Sequence, residues 1–199
     1  MKIGVFGGTF DPVHYGHIEL AKQALDECKL DRVIVVPANE QPFKLDKEKA
    51  SGEHRLNMLK LAFEQEDKII ISDIEIKKGD VSYTIDTLRE ICKLYNDAEI
   101  HFIVGIDAFL SIEFWKEAEN LLSEYSFIVG ARPNYMESEL DELISRFEKL
   151  YNTPITRVNN ELVPASSTEI KEDMRSNKYK SGTSPLSVER YIATNELYL

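Results

Sequence analysis

The sequence has few of the residues that mark disulfide-bonded, metal-binding or membrane proteins. It contains two cysteines among 199 residues, Cys28 and Cys92, and no C-x-x-C spacing, which excludes a zinc or dithiol redox motif. Both lie in helix-like segments, where free thiols in a reducing compartment are expected. No apolar run approaches the roughly 18 residues of a membrane span, and the residues ahead of "IGVF" are too few for a signal peptide. These absences predict a cytoplasmic protein with no membrane partner.

Positive charge is also scarce. There are 24 Lys and Arg residues against 35 Asp and Glu residues, which gives a net charge of −11 and a pI near 4.9. An acidic chain of this kind is not expected to bind nucleic acid, because neutralising a phosphate backbone needs a basic face. A small phosphorylated ligand stays compatible with this charge, since it requires only a local positive site.

Six apolar runs alternate with helix-like segments. The runs are near-continuous Ile, Val and Phe, which is typical of strands buried on both faces of a parallel sheet. They cover residues 2–6, 32–37, 68–76, 99–105, 126–132 and 154–158. The helix-like segments cover residues 16–28, 53–65, 84–95, 117–123, 138–149, 167–176 and 185–195. This order predicts a single α/β domain, 1–199, with a doubly wound, mostly parallel sheet and C-terminal helices.

Two stretches, 37–52 and 177–185, lack a regular pattern. Long loops in a compact domain tend to be functional or mobile. In an open α/β sheet, ligands bind beyond the carboxyl ends of the strands. Because the first stretch leaves such an end, we expect it to border a ligand site.

The segment "GVFGGTFDPVHYGH" (4–17) carries the most specific local signal. Gly7 and Gly8 end the first apolar run, but they do not form the G-x-G-x-x-G dinucleotide fingerprint. They predict a turn without Cβ atoms directly after the strand, where a ligand can approach the main chain. His14 and His17 are three residues apart, so a helix beginning near residue 14 would place both rings on one face. The alternative is an ordinary helix start with two solvated histidines.

The segment "GGTFDPVHYGH" resembles the T/H-x-G-H signature of the nucleotidyltransferase superfamily. Within the superfamily, the chain is most similar to the bacterial nicotinate-nucleotide adenylyltransferases over essentially its whole length. The motifs "VVPANEQPFK", "HRLNML", "SYTIDTL", "FIVGIDAF", "FW" and "SSTEIK" follow in that family's order. The resemblance implies a Rossmann-like fold and transfer of the adenylyl group of ATP to nicotinate mononucleotide, with release of pyrophosphate, in NAD biosynthesis.

The resemblance also implies which residues bind ATP. His14 and His17 would be catalytic and contact the triphosphate, with His17 at the α-phosphate where charge develops. The ATP-binding residues would be Gly7, Gly8, Thr9, His14, His17, Ser167, Thr168 and Lys171. The family motif usually closes with Arg where this chain has Lys171, so the bidentate fork is lost and Arg175 is an alternative. Ser166 and Glu169 also fit a capping box, which would make this motif an ordinary helix start.

The mononucleotide would bind on the other half of the sheet. The resemblance implies contacts from Lys44, Tyr83, Thr84, Asp107, Trp115 and Arg132. Trp115 would stack on the pyridine ring, although a single tryptophan is often a core anchor. Asp107 would contact ribose hydroxyls, or it would be the N-cap of the next helix. The helix start at Tyr83 and Thr84 would offer backbone amides to the nicotinate carboxylate.

The expected cofactor is Mg²⁺ bound with ATP and held mainly by phosphates, so no metal site built from the protein is predicted. The sequence is compatible with a homo-oligomer and does not specify the oligomeric state. The nearest rival is pantetheine-phosphate adenylyltransferase, whose chains look shorter and lack the "SYTIDTL" and "FW" elements. A second rival is a nucleotide sensor without activity, which the two histidines and the phosphate-binding helix disfavour. A dehydrogenase is disfavoured by the missing G-x-G-x-x-G motif.

Overall fold

The computed structural model describes residues 1–40, 42, 49–131, 137–159, 166–176, 178–179 and 182–198. Six strands of this part of the chain form one sheet, in the order β3-β2-β1-β4-β5-β6, and every neighbouring pair is parallel. The strands are β1 (Lys2–Gly8), β2 (Arg32–Pro37), β3 (Ile69–Ile71), β4 (Glu99–Gly105), β5 (Ser126–Ala131) and β6 (Ile155–Asn159). This order confirms the predicted doubly wound sheet.

Nine helices lie between or after the strands in the described ranges. They are α1 (Tyr15–Glu27), α2 (Gly52–Ala62), α3 (Ile74–Lys78), α4 (Thr84–Leu94), α5 (Ile106–Phe109), α6 (Ala118–Glu124), α7 (Glu137–Tyr151), α8 (Ser167–Arg175) and α9 (Leu186–Thr194). A 3-10 turn (Ile112–Phe114) follows α5. No helix in the described residues has the length and apolar content that a membrane span requires.

Helices cover both faces of the sheet, which explains why the strands are continuously apolar. In β2, Val33 and Val35 belong to the core on one face, with α1, α2 and α9. Ile34 and Val36 belong to the core on the other face, with helices from α4 to α7. Because successive side chains of a strand alternate between faces, burial on both sides requires an apolar residue at every position.

The predicted strand over 68–76 is wrong in its second half. Only Ile69–Ile71 form a strand, and α3 begins at Ile74. β3 is an edge strand that pairs only with β2, and their last paired residues are Val35 and Ile71. β2 itself continues to Pro37, but the run leaves the sheet after the amide of Ser72 donates to the carbonyl of Val35 at 2.9 Å. Gly79, at φ +74°, then ends α3 in the left-handed conformation that glycine favours.

The turn predicted at Gly7 and Gly8 is also wrong, because β1 continues through Gly8 and pairs with Pro37 of β2. Gly8 is required for packing rather than for a turn. A Cβ atom there would lie 2.9 Å from the ring of Phe10. Phe10 itself has a φ of +51°, in the left-handed region, and is buried. The chain therefore folds the Phe10 ring back onto the end of the strand.

Candidate active site

The predicted site residues that the structure describes cluster at the carboxyl ends of β1, β2 and β4. The histidine segment (residues 9–17) follows β1, and α5 follows β4 directly. The sheet order reverses between these two strands, since β2 lies on one side of β1 and β4 on the other. A crevice at such a reversal is the usual ligand site of an open α/β sheet.

His14 and His17 come together as the spacing predicts. His14 is the N-cap of α1, and the two ring centroids are 3.7 Å apart with 32° between the ring planes. The backbone amide of His14 donates a hydrogen bond of 3.3 Å to Nδ1 of His17. Because Nδ1 accepts, the neutral His17 ring carries its proton on Nε2. That N–H is therefore available as a donor to an anionic ligand.

The ring of His17 is held in an apolar environment. It packs edge-on against Phe10 at 5.0 Å and lies 6.2 Å from Phe6. Burial, together with the neighbouring His14, lowers the pKa of His17 well below 6.5. The ring is therefore neutral at physiological pH until a negatively charged ligand favours its protonation.

Helix α8 is attached directly to the histidine segment. Its N-cap Ser166 accepts a hydrogen bond from the amide of Glu169, which confirms the helix start, and Ser167 Oγ donates to the carbonyl of Pro12 at 3.0 Å. Thr168 is exposed on the first turn. The N-terminal end of α8, with its positive dipole and free amides, therefore lies against the segment that carries both histidines.

The structure places Lys171 in a buried ion pair. Its Nζ lies 3.1 Å from Oδ2 of Asp11, and both side chains are almost completely buried. Arg175, the alternative cation, is exposed in the last turn of α8. The phosphate-binding roles of Lys171 and Arg175 stay predictions. The contact that the structure describes for Lys171 is its ion pair with Asp11 of the histidine segment, whose charge it neutralises.

Arg55, which none of the sequence motifs assigns to the site, holds two of its loops together. Its guanidinium is fully buried in α2. It donates to the carbonyls of Thr9 at 2.9 Å, Ala38 at 2.6 Å and Ala50 at 3.1 Å. Arg55 therefore joins the loop after β1 to the loop after β2. The motif "HRLNML" was a signal for it, because an arginine within an apolar helical stretch requires buried acceptors.

The start of α4 is also tied to the end of β2. Tyr83 is the N-cap and Thr84 the first helical residue. Next to them, Ser82 Oγ accepts from the amide of Asn39 at 2.9 Å. Glu75 accepts from Thr87 Oγ1 at 2.5 Å, and burial raises the pKa of this carboxyl. The amide of Asp86 donates to the carbonyl of Tyr83 at 3.1 Å, whereas the amides of Thr84 and Ile85, at the very start of the helix, have no helical carbonyl one turn earlier and suit an acceptor.

Trp115 is partly buried, and its ring packs edge-on against Phe102 at 6.1 Å. Its neighbour Phe114 is 80% exposed. Lys116 lies 4.6 Å above the ring of Tyr83 and forms an ion pair with Asp86 of α4. Trp115 is therefore anchored to the core by its contact with Phe102, and its stacking on the pyridine ring stays a prediction.

Asp107 is exposed in α5, directly after β4. It is not the N-cap of that helix, because Gly105 holds the N-cap position. The capping alternative is therefore wrong, and the ribose contact stays a prediction. Lys44 and Arg132 lie outside the described residues. In the described part of the chain, no group of three or more His, Cys, Asp or Glu side chains is arranged to hold a metal ion.

Comparison with known families identifies the class. A model of the family described as cytidylyltransferase-like matches residues 5–173, from the middle of β1 into α8. The chain therefore belongs to the cytidylyltransferase-like family, and it is a nucleotidyltransferase.

Relatives that match over the full length of the chain share one name within this class. A Thermoanaerobacter sp. (strain X514) protein named "probable nicotinate-nucleotide adenylyltransferase" is 38% identical, over 100% of this chain and 94% of its own length. A Borreliella burgdorferi protein of the same name is 36% identical, over 100% of this chain and 97% of its own length. Among solved structures, a nicotinic acid mononucleotide adenylyltransferase of Plasmodium falciparum complexed with NaAD has a TM-score of 0.77 at 23% identity, over 99% of this chain and 97% of that one. That likeness supports the fold.

Proposed function

We propose that this protein transfers the adenylyl group of ATP to nicotinate mononucleotide, giving nicotinic acid adenine dinucleotide and pyrophosphate, in NAD biosynthesis. The observation that carries the proposal is the attachment of α8 to the histidine segment, which brings two imidazole rings and a helix N-terminus to the carboxyl end of β1. The names of the full-length relatives point to the same substrates.

In the proposed reaction, a phosphate oxygen of the mononucleotide attacks the α-phosphorus of ATP. A new P–O bond forms, the bond to the β-phosphate bridging oxygen breaks, and the electron pair leaves with pyrophosphate. The attacking oxygen is already ionised, so no protein nucleophile is required, and catalysis depends on positioning and charge stabilisation. The Nε2 proton of His17 is the donor we assign to the α-phosphate oxygen.

The remaining phosphate contacts are assigned to backbone amides near Gly7, Gly8 and Thr9, to Ser167 and Thr168, and to Lys171 or Arg175. Mg²⁺ bound with ATP would neutralise part of the triphosphate charge. The described residues fit a metal held by phosphates and water, because Asp11, the carboxylate of the histidine segment, is already occupied by Lys171. It stays a prediction that the protein does not bind nucleic acid and that it is cytoplasmic, and a homo-oligomer stays possible.

The nicotinate end is assigned to the start of α4 and to Trp115. Amides at Tyr83 and Thr84 suit a carboxylate, which only accepts hydrogen bonds, whereas a carboxamide would point its own NH₂ donors at them. We therefore propose a preference for the acid over the amide. Asp107 is assigned to the ribose hydroxyls, and Lys44 and Arg132 are assigned as positive charges for the phosphate and the carboxylate of the mononucleotide.

The test is to incubate the protein with ATP and Mg²⁺ and, separately, with nicotinate mononucleotide, nicotinamide mononucleotide or phosphopantetheine. Pyrophosphate release and the mass of the product are measured. We expect nicotinic acid adenine dinucleotide, with the amide slower by orders of magnitude in kcat/KM. Turnover of phosphopantetheine alone would favour the rival enzyme, and no turnover with any acceptor would favour a nucleotide sensor.

A further inference from the structure

The side chain of Asp11, in the middle of the histidine segment, is fully engaged by three distant parts of the chain. Its Oδ1 accepts from the hydroxyl of Tyr198 at 2.6 Å and from the amide of Ala50 at 3.0 Å. Its Oδ2 accepts from Lys171 Nζ at 3.1 Å. A buried carboxylate with three donors, one of them an ammonium, is held in a single position.

The neighbours of Asp11 on either side contact the residues assigned to ATP. Phe10 packs against the ring of His17, and the carbonyl of Pro12 accepts from Ser167 at the start of α8. A displacement of Asp11 would therefore move both Phe10, which packs on His17, and Pro12, which binds the start of α8. Asp11 therefore lies between the two groups of residues assigned to the phosphates of ATP.

Tyr198 holds Asp11 from the segment that follows α9. Its side chain is buried, and its backbone has a φ of +66°, in the left-handed region that residues other than glycine rarely adopt. Such a conformation persists only where the surrounding contacts over-determine it. Burial and Asp11 raise the pKa of the phenol, so the hydroxyl keeps its proton and remains a donor.

We propose that Tyr198 is a positioning residue for ATP, acting through its hydrogen bond to Asp11. The inference rests on the proposed adenylyl transfer. The segment around Asp11 contacts His17 and α8 directly, whereas it reaches the start of α4 only through a longer chain of hydrogen bonds that begins at Ala50. Loss of the phenol should therefore raise the KM for ATP and leave the KM for the mononucleotide nearly unchanged. A residue that only stabilised the fold would change neither KM.

Tyr191 supplies a matched control, because its hydroxyl is also a hydrogen-bonding group of the C-terminal part of the chain. It contacts His54 Nδ1 at 3.0 Å and Asn57 Nδ2 at 3.1 Å, so it joins α9 to α2 rather than to the histidine segment. Tyr198→Phe and Tyr191→Phe each remove one hydroxyl and keep the ring. A difference in ATP affinity between Y198F and Y191F therefore depends on which residues the lost hydroxyl contacted.

The experiment measures steady-state kinetics, the Kd for ATP alone and the melting temperature of wild type, Y198F and Y191F. For Y198F, we expect the KM and Kd for ATP to rise by about 5- to 30-fold, with the KM for nicotinate mononucleotide within about twofold of wild type. For Y191F, both KM values should stay within about twofold. In Asp11→Ala protein, adding Y198F should have little further effect on the Kd for ATP, because the acceptor of the Tyr198 hydroxyl is already gone.

Three outcomes would overturn the inference. The first is an equal Kd for ATP in Y198F and Y191F. The second is a rise of both KM values in Y198F, and the third is a lower melting temperature of Y198F with unchanged KM values. Because the Kd for ATP is measured without turnover, a wild-type protein that binds ATP but forms no dinucleotide would contradict the proposed function separately. The comparison of Y198F with Y191F alone decides the inference if the Asp11→Ala protein does not fold.

Discussion

The amide of His14 donates to Nδ1 of His17, and the same two residues stack their rings 3.7 Å apart. The hydrogen bond selects the tautomer of His17. Burial first, and the neighbouring His14 second, lower the pKa of His17 and keep its ring neutral. The pair therefore presents a neutral N–H donor at the end of β1. This arrangement leads to two predictions for His17.

The first is that His17→Ala lowers kcat strongly and leaves the fold intact. Losing one donor to developing charge typically costs about 100- to 1,000-fold in kcat. The measurement is pyrophosphate release at saturating substrates, beside a melting curve. His101→Gln is the control, because His101 lies near the amino end of β4, away from the histidine segment, and pairs with Glu99. A His17→Ala protein that keeps near-normal kcat would favour two solvated histidines without a catalytic role.

The second concerns the pH dependence of stability. The pKa of His17 is lowered in the folded protein, whereas in the unfolded chain it stays near 6.5. Below about pH 6.5 the unfolded chain therefore binds a proton that the folded protein does not, so the free energy of unfolding falls as pH falls. His17→Gln removes this titration.

The stability advantage of wild type over His17→Gln should therefore shrink between about pH 7 and about pH 5, measured by urea unfolding at each pH. Glu75, whose pKa is raised by burial, titrates alike in both proteins and cancels in the difference. A difference that is constant across this range would contradict the lowered pKa.

Trp115 and Phe114 provide a matched pair for the mononucleotide site. Trp115→Ala removes a ring that packs on Phe102, so we expect a stability loss below the ~3–5 kcal/mol of a fully buried tryptophan. We also expect a higher KM for nicotinate mononucleotide with the KM for ATP unchanged. Phe114→Ala, at an 80% exposed ring, should change stability by less than ~0.5 kcal/mol.

Melting curves and both KM values are the readouts for this pair. A large loss of stability in Trp115→Ala without any change in the mononucleotide KM would make the tryptophan purely a core residue. A mononucleotide KM that rises instead in Phe114→Ala would move the stacking surface to the neighbouring ring.

Arg55→Met tests the connection between the loops after β1 and β2. The change leaves the buried carbonyls of Thr9, Ala38 and Ala50 without their guanidinium donor. Breaking a buried charged network in this way typically costs about 3–5 kcal/mol in unfolding free energy. The measurement is denaturant unfolding, and kcat/KM should fall with it because Thr9 is part of the histidine segment.

The control for that change is Arg146→Met, since Arg146 pairs with Glu113 on the surface at 2.6 Å. An exposed pair of this kind contributes less than ~1 kcal/mol. Equal losses in the two variants would contradict the structural role assigned to Arg55.

Local patterns in the sequence determined the strands of the sheet and two local features of the proposed phosphate site, the histidine pair and the start of α8. The near-continuous apolar runs at 32–37 and 99–105 have the same bounds as β2 and β4, because a strand covered on both faces is mostly apolar along its length. The spacing of His14 and His17 and the cap at Ser166 were likewise visible, since both depend only on residues within one helical turn.

Only the tertiary structure decided the partners of Asp11 and Arg55 and the end of β3. Lys171 lies 160 residues from Asp11 in the chain, and nothing in the local pattern of either residue specifies that pairing. The run 68–76 stops being a strand at Ile71, although β2 continues two residues past Val35, the partner of Ile71, and the local composition of the run does not mark this end. Periodicity and capping act over a few residues, whereas buried charge pairs and strand lengths depend on which distant segments the sheet order brings together.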